Sequence, residues 1–156
     1  MKTTRTPDGG FTLLETLIVC AIVATLVAIA VPSYTDLLSK LKRDQATEDI
    51  RSIEKDIMLF LATNGRLPET LEEAGINLTD PWGNPYQYIP IQGKPLSGNG
   101  KVTPRKDKFL HPLNSDYDLW SMGPDGKTAI PLTAKASHDD IIRAGDGSYL
   151  GKAEDY

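Results

Sequence analysis

The chain changes from polar to apolar within the stretch GGFTLLE, which covers residues 9–15. A short polar head precedes this stretch, and an apolar run extends from Phe11 to Val31. Glu15 is the only charged residue in that run. A lone carboxylate entering a bilayer costs several kcal/mol unless it is paired. Nothing else in the run can pair with it, so the sequence predicts that the partner of Glu15 lies on another chain.

The apolar run and the residues after it predict one long N-terminal helix with two different halves. About 20 apolar residues in an α-helix cross one hydrocarbon core, and the run from Phe11 to Val31 has that length. Pro32 follows the run and is predicted to interrupt the helix. Beyond it, apolar residues recur at steps of three and four, which predicts an amphipathic helix that continues to about Thr63 and ends at Asn64-Gly65.

The rest of the chain predicts short strands separated by loops. Tyr86 to Ile89 is strand-like in composition, and Tyr117 to Gly123 alternates polar and apolar residues as a half-buried strand does. Asp139 to Arg143 is compatible with a strand or a short helical turn, and Tyr149-Leu150 with pairing at the sheet edge. The predicted fold class is therefore α+β: a long helix, membrane-spanning and then amphipathic, packed on a small antiparallel sheet of about three strands.

Two polar segments are predicted to be loops, Gln92 to Lys108 and Lys127 to Ser137. Cys20 is the only cysteine, so the chain cannot form an intrachain disulfide to tie these loops down. The chain's 17 basic and 21 acidic residues give a net charge of −4, which becomes −5 if residues 1–10 are removed. An acidic balance argues against nucleic acid as the main partner, because phosphate binding needs a basic surface.

The N-terminal pattern resembles the class III prepilin signal of type IV pilins and type II secretion pseudopilins. That signal is a short basic leader ending in glycine, then phenylalanine, then an apolar helix with glutamate at its fifth position; Gly10, Phe11 and Glu15 match it. The resemblance implies cleavage after Gly10 by a prepilin peptidase, N-methylation of Phe11, and an inter-subunit assembly role for Glu15. An ordinary secretory signal has its small-residue cleavage site after the apolar core, whereas this glycine pair precedes it.

Two later motifs resemble the major, G-type pseudopilins of type II secretion. They are DPWGNPY at residues 80–86 and DLWSMGPDG at residues 118–126. In that family a short acidic loop after the second motif binds calcium, so the resemblance implies Asp125, Asp139 and Asp140 as calcium ligands. The loop here is longer than in the family. Asp-Gly also forms turns without a metal, and Asp139 could cap a helical turn.

The resemblance, with the basic residues Lys2 and Arg5 on the cytoplasmic side, implies three segments. They are a cleaved leader at 1–10, a transmembrane and filament-core helix at 11–32, and a periplasmic pilin-like domain at 33–156. The expected function is a non-enzymatic structural subunit of a type II secretion pseudopilus. The subunit crosses the inner membrane once and polymerises with itself. Its implied partners are the prepilin peptidase, the minor pseudopilins and an inner-membrane assembly platform.

Two alternatives remain open at the level of sequence. A major or minor type IV pilin used in adhesion, motility or DNA uptake shares every feature up to Thr63. A signal-anchored periplasmic enzyme or binding protein shares the apolar run, but it has no need of Glu15 or of cleavage after Gly10. The sequence carries no recognisable catalytic motif, and its two histidines, His111 and His138, lie in polar loops.

Overall fold

The computed structural model describes residues 10–96 and 101–156. The predicted leader before Gly10, and residues 97–100 of the loop predicted after Gln92, lie outside the described residues. Helix α1 covers Leu13–Asn64. It ends where Gly65 takes a φ of 71°, a conformation that glycine adopts without steric cost, so the predicted Asn64-Gly65 stop is confirmed.

Pro32 lies inside α1, and the prediction that it interrupts the helix is wrong. A proline removes one backbone donor, but the bonds before and after it can still form in a long helix of strong helix formers. Hydroxyl groups next to the proline also bond to the helix backbone. Ser33 Oγ donates to the carbonyl oxygen of Ile29 at 3.2 Å, and Thr35 Oγ1 donates to that of Pro32 at 2.8 Å.

The chain forms two compact units, one up to Ser39 and one from Lys40 to Tyr156. In the first unit, the large apolar side chains of α1 are exposed on every side of the helix. This part of α1 is long and apolar enough to cross a membrane. Residues 10–96 and 101–156 leave these side chains uncovered.

The second unit contains a four-stranded antiparallel sheet in the order β1-β2-β3-β4. The strands are β1 (Gln87–Pro90), β2 (Tyr117–Ser121), β3 (Ile141–Ala144) and β4 (Tyr149–Lys152). The α+β fold class is confirmed, with four strands where the sequence predicted about three. Of residues 139–143, for which the sequence left strand or helical turn open, residues 141–143 lie in strand β3, and the predicted pairing of Tyr149 at the sheet edge is confirmed.

The helix packs on one face of the sheet through four fully buried residues, Ala46, Ile50, Ile53 and Ile57. Their three- and four-residue spacing keeps them on one side of α1. Leu119 on β2 and the rest of a shared core cluster lie against them. Each fully buried isoleucine stabilises the fold by about 1.5–3 kcal/mol through removal of its side chain from water.

The opposite face of the sheet is covered by loops rather than by a helix. Trp120 and Ile142 alternate with the helix-facing strand residues and point to this second layer, where Leu113 and Leu132 pack on them. Three short 3-10 helices lie in the connections and the tail: Glu72–Ala74, Lys135–Ser137 and Ala153–Asp155. Leu132, from a segment predicted to be a loop, therefore belongs to the core of this unit.

Candidate functional site

The predicted processing site lies immediately before α1. Gly10 and Phe11 have no helical structure, and the side chain of Phe11 is 83% exposed. The backbone N–H of Glu15 donates to Thr12 Oγ1 at 3.2 Å, so Thr12 caps the start of the helix. Thr12 and Glu15 have the spacing of a capping box, and an acidic residue in the first turn interacts favourably with the helix dipole. Sequence analysis did not identify this local role of Glu15.

The carboxylate of Glu15 is exposed and makes no ion pair within residues 10–96 and 101–156. It lies on a helix whose surrounding side chains are apolar on all sides. The predicted partner on another chain therefore stays a prediction. The capping-box spacing gives the Glu15 side chain a second possible contact, a bond to the Thr12 N–H, which does not require the charge.

The two motifs that carry the family resemblance bond to each other across the sheet. Asp80 Oδ1 accepts from the N–H groups of Trp82 at 3.0 Å and Asn84 at 2.8 Å, which closes the DPWGNPY turn. Asp80 Oδ2 accepts from Ser121 Oγ at 2.5 Å, and Asn84 Nδ2 donates to the carbonyl oxygen of Gly123 at 3.1 Å. The DPWGNPY turn and the end of β2 thus form one hydrogen-bonded unit, although about 40 residues of sequence separate their bonded members.

Asp125 and Asp139, two of the three predicted calcium ligands, lie close together. The backbone N–H of Asp125 donates to Asp139 Oδ2 at 3.3 Å. Gly123 makes this approach possible, because a Cβ at that position would lie 2.4 Å from the Asp139 carbonyl oxygen. No group of three or more histidine, cysteine, aspartate or glutamate residues in the described part of the chain is arranged to hold a metal. Calcium takes six to eight oxygen ligands, so these two carboxylates alone do not make a site, and calcium binding stays a prediction.

Asp140, the third predicted ligand, is fully buried and faces the guanidinium of Arg105. Its Oδ2 accepts from Arg105 Nη2 at 2.6 Å and from Thr128 Oγ1 at 2.7 Å. Burial raises the pKa of Asp140 from 3.8 to about 6, against the opposing effect of Arg105. The nearby hydroxyl of Ser137 accepts from the backbone N–H of Ala129 and donates to its carbonyl oxygen, both at 2.9 Å.

Comparison with known proteins identifies the N-terminal pattern directly. Residues 5–31 match the prokaryotic N-terminal methylation motif. The chain is 29% identical to type II secretion system core protein G of Pectobacterium carotovorum over 136 residues, which cover 85% of this chain and 81% of the relative. Together these matches support a pseudopilin of the type IV pilin-like kind.

Further relatives of the pseudopilin carry the same printed name. Type II secretion system core protein G of Klebsiella pneumoniae is 28% identical, over 85% of this chain and 91% of the relative. That of Pseudomonas aeruginosa is 27% identical, over 79% of this chain and 88% of the relative. No solved structure matches the pseudopilin significantly. The similarity thus extends well past the N-terminal motif into the globular unit.

Two buried arginines of the pseudopilin were not identified from sequence. Arg105 lies in a segment predicted to be a polar loop, yet it is 1% exposed and its guanidinium lies 4.6 Å from the ring centroid of Trp120. Arg143 on β3 is 2% exposed and bonds Glu54 on α1. The sequence shows only that acidic residues lie far along the chain from each arginine. It does not show which of them is the partner.

Proposed function

We propose that this pseudopilin is the repeating structural subunit of a periplasmic pseudopilus in a type II secretion system, where it helps to export folded proteins. The observation that carries the proposal is the first part of α1. Its apolar side chains are exposed all around the helix up to Val31, with Glu15 as the one charged residue among them. Such a helix is stable in a membrane, or in a bundle of identical helices, but not alone in water.

The processing steps of the proposal concern residues at the start of α1. The prepilin peptidase cleaves after Gly10, and the new amine of Phe11 is methylated. The exposed, non-helical backbone at Gly10 and Phe11 supports cleavage because a protease needs an accessible, extended peptide. In the filament, the Glu15 carboxylate of one subunit pairs with the Phe11 amine of a neighbour. In apolar surroundings that attraction is weakly screened, so it favours the correct axial register.

The location and partners follow from the same assignment. The subunit first crosses the inner membrane once, with its globular unit in the periplasm. An assembly platform and minor pseudopilins then act on it, and it has no catalytic activity of its own. The relatives named core protein G and the bonded turn and hairpin favour this reading over a type IV pilin.

The proposal also includes a calcium ion bound by Asp125 and Asp139. A bound cation would neutralise these two neighbouring carboxylates and would tie residues 123–125 to the segment before β3. Asp140 serves instead as the counter-ion of Arg105 in this proposal, since its Oδ2 already has two donors.

Intact mass of the membrane-extracted protein and electron microscopy of sheared filaments test the proposal together. The full chain is produced in a cell with a type II secretion system, with and without its prepilin peptidase. We expect a chain that begins at methylated Phe11, and filaments, only when the peptidase is present. A Gly10→Leu variant is the matched control and should keep residues 1–10. A wild-type chain that retains its leader beside an active peptidase would contradict the assignment.

A further inference from the structure

A long loop covers the second face of the sheet and has no disulfide to hold it there. We call residues 127–140 the covering loop; its Leu132 packs in the same core cluster as Trp120. Cys20 is the only cysteine of the chain. In the family that the sequence resembles, calcium binds the corresponding loop, whereas here the third predicted ligand, Asp140, bonds to an arginine of the protein. The contacts of that arginine therefore bear on how the covering loop stays closed.

Arg105 contacts the covering loop from the segment that precedes β2. Its Nη2 donates to Asp140 Oδ2 at 2.6 Å, and the two side chains are 1% and 0% exposed. Thr128 Oγ1 donates to the same carboxylate oxygen at 2.7 Å. Thr128 and Asp140 lie near the two ends of the covering loop. One carboxylate oxygen therefore joins both ends of the loop to Arg105.

The backbone around Arg105 holds the middle of the covering loop as well. The N–H of Lys106 donates to the carbonyl oxygen of Ile130 at 3.2 Å, and the N–H of Leu132 donates to that of Lys106 at 2.9 Å. The backbone N–H of Arg105 donates to Oδ2 of the buried Asp118, on β2, at 2.5 Å. The segment that carries Arg105 is thus bonded to the sheet and to the covering loop at once.

The guanidinium of Arg105 also packs on the aromatic ring that the covering loop shields from water. Its Cζ atom lies 4.6 Å from the ring centroid of Trp120, which is 6% exposed. Trp120 Nε1 donates to Thr128 Oγ1 at 3.1 Å. Arg105 Nε and Nη1 are buried without a hydrogen-bond partner among the described residues, so the ring face is an important neighbour of this cation. Closure of the loop and burial of Trp120 therefore depend on the same contacts.

We propose that Arg105 is an internal cation that holds the covering loop closed, so that closure does not require calcium. Calcium ties a loop by binding carboxylate and carbonyl oxygens from separate parts of the chain. Here the guanidinium supplies the positive charge at Asp140, which also binds Thr128. Calcium bound by Asp125 and Asp139 would then stabilise a loop that is already closed. The inference goes beyond the proposed filament function and does not depend on it.

Acrylamide quenching of Trp120 fluorescence in the full chain tests the closure of the loop. The chain has two tryptophans, so Trp82→Phe leaves Trp120 as the only one that emits. We expect the same quenching constant in millimolar calcium and in excess EGTA, because the covering loop shields Trp120 in both. A quenching constant that rises several-fold on chelation would show that calcium closes the loop, and would overturn the proposal.

Removing the internal cation provides the second measurement, in the same Trp82→Phe chain. Arg105→Met should raise the quenching constant about threefold or more, in calcium and in EGTA alike, because Asp140 is then buried without a cation. Lys106→Met is the matched control, since Lys106 is exposed and makes no ion pair within the described residues. We expect the control to leave the quenching constant unchanged. An unchanged constant in Arg105→Met would overturn the proposal.

A milder variant keeps the test decisive if Arg105→Met fails to fold, which its circular dichroism spectrum would report. Thr128→Val has nearly the shape of threonine and leaves both charges in place, but it cannot bond to Asp140 or to Trp120. One end of the covering loop is then released, so we expect a smaller rise in the quenching constant, again equal in calcium and in EGTA. A rise that calcium reverses would assign closure to the metal and overturn the role of Arg105.

Discussion

Arg143 Nε on β3 lies 2.5 Å from Glu54 Oε1 on α1, a link between residues 89 positions apart in the sequence. The other nitrogens of the guanidinium bond both carboxylate oxygens of Asp116, at 2.8 and 2.7 Å. Its face lies over Tyr117, at 4.1 Å from the ring centroid. One side chain therefore fixes the register of the helix against the sheet.

Replacing Arg143 with methionine should lower the free energy of unfolding of the globular unit by about 3–5 kcal/mol. The buried arginine would be lost, and Glu54 and Asp116 would be left without their cation. Urea unfolding would measure this in a chain that begins at Tyr34. We expect that chain to be soluble, because every residue of the buried core lies beyond it.

Arg51 provides the matched control for this substitution. It pairs with Glu48 on the exposed side of α1, so Arg51→Met should cost less than about 1 kcal/mol. Equal effects of the two substitutions would show that the Arg143 contacts add nothing beyond those of a surface ion pair.

Asp118 should make the stability of the same unit depend on pH. Burial raises the pKa of Asp118 above its ordinary 3.8, although the Arg105 N–H and the Asn114 side chain both donate to it. The folded state therefore binds this proton more tightly than the unfolded state does. The stabilisation is complete below pH 3.8, and it is lost as the pH rises through the higher pKa of the folded state.

The measurement for Asp118 compares unfolding of the wild type and Asp118→Asn at several pH values. The advantage of the wild type over the variant should decrease as the pH rises above about 4. A difference that is constant with pH, or that grows as the pH rises, would contradict a raised pKa.

The fold could be predicted from sequence wherever one periodic pattern determined it. The spacing of Ile50, Ile53 and Ile57 predicts the buried face of α1, and Asn64-Gly65 predicts its end. Pro32 misled the prediction because an interior proline costs a helix about 3 kcal/mol, yet this 52-residue helix continues through it. Residues 139–143 were ambiguous because DDIIR has no alternation, and only pairing with β2 and β4 makes part of it a strand.

The candidate sites could be predicted only in part. Gly10, Phe11 and Glu15 are adjacent in sequence, so a local pattern is enough to mark them. The partners of Asp139 and Asp140 could not be predicted, because the sequence does not show that Asp140 faces Arg105 while Asp139 faces Asp125. That choice depends on how two loops cover the second face of the sheet, which is a tertiary property without a local signal.

Calcium should raise the melting temperature of the chain that begins at Tyr34, and a chelator should lower it. A ligand that binds only the folded state adds about 2.7 kcal/mol at a hundredfold excess over its dissociation constant. Asp125→Ala and Asp139→Ala should each remove most of this response. Asp140→Asn should keep the response while lowering the melting temperature at every calcium concentration, because Arg105 loses its counter-ion.

Asp56→Ala is the control for a general effect of lost negative charge, since Asp56 is exposed and lies on α1. If the melting temperature ignores both calcium and chelator, Asp125 and Asp139 are ordinary turn residues. A response that disappears in Asp140→Asn but persists in Asp125→Ala would contradict the division of roles between these carboxylates.

Glu15 has two candidate roles that one substitution can separate. Glutamine can still bond the Thr12 N–H through its side chain without the charge, whereas alanine loses both the side chain and the charge; the backbone bond from residue 15 to Thr12 Oγ1 is kept in both variants. If Glu15 pairs with the Phe11 amine of a neighbouring subunit, Glu15→Gln should lose filaments as severely as Glu15→Ala. If Glu15 only caps the helix, Glu15→Gln should assemble nearly as well as the wild type. In both variants the globular unit should keep its melting temperature, because its core begins beyond the first unit of the chain. The measurement is the yield of sheared filaments at equal subunit levels in the membrane. Because an amide cannot replace a carboxylate opposite a charged amine in apolar surroundings, we expect both variants to fail, and a normal yield from Glu15→Gln would refute the pairing.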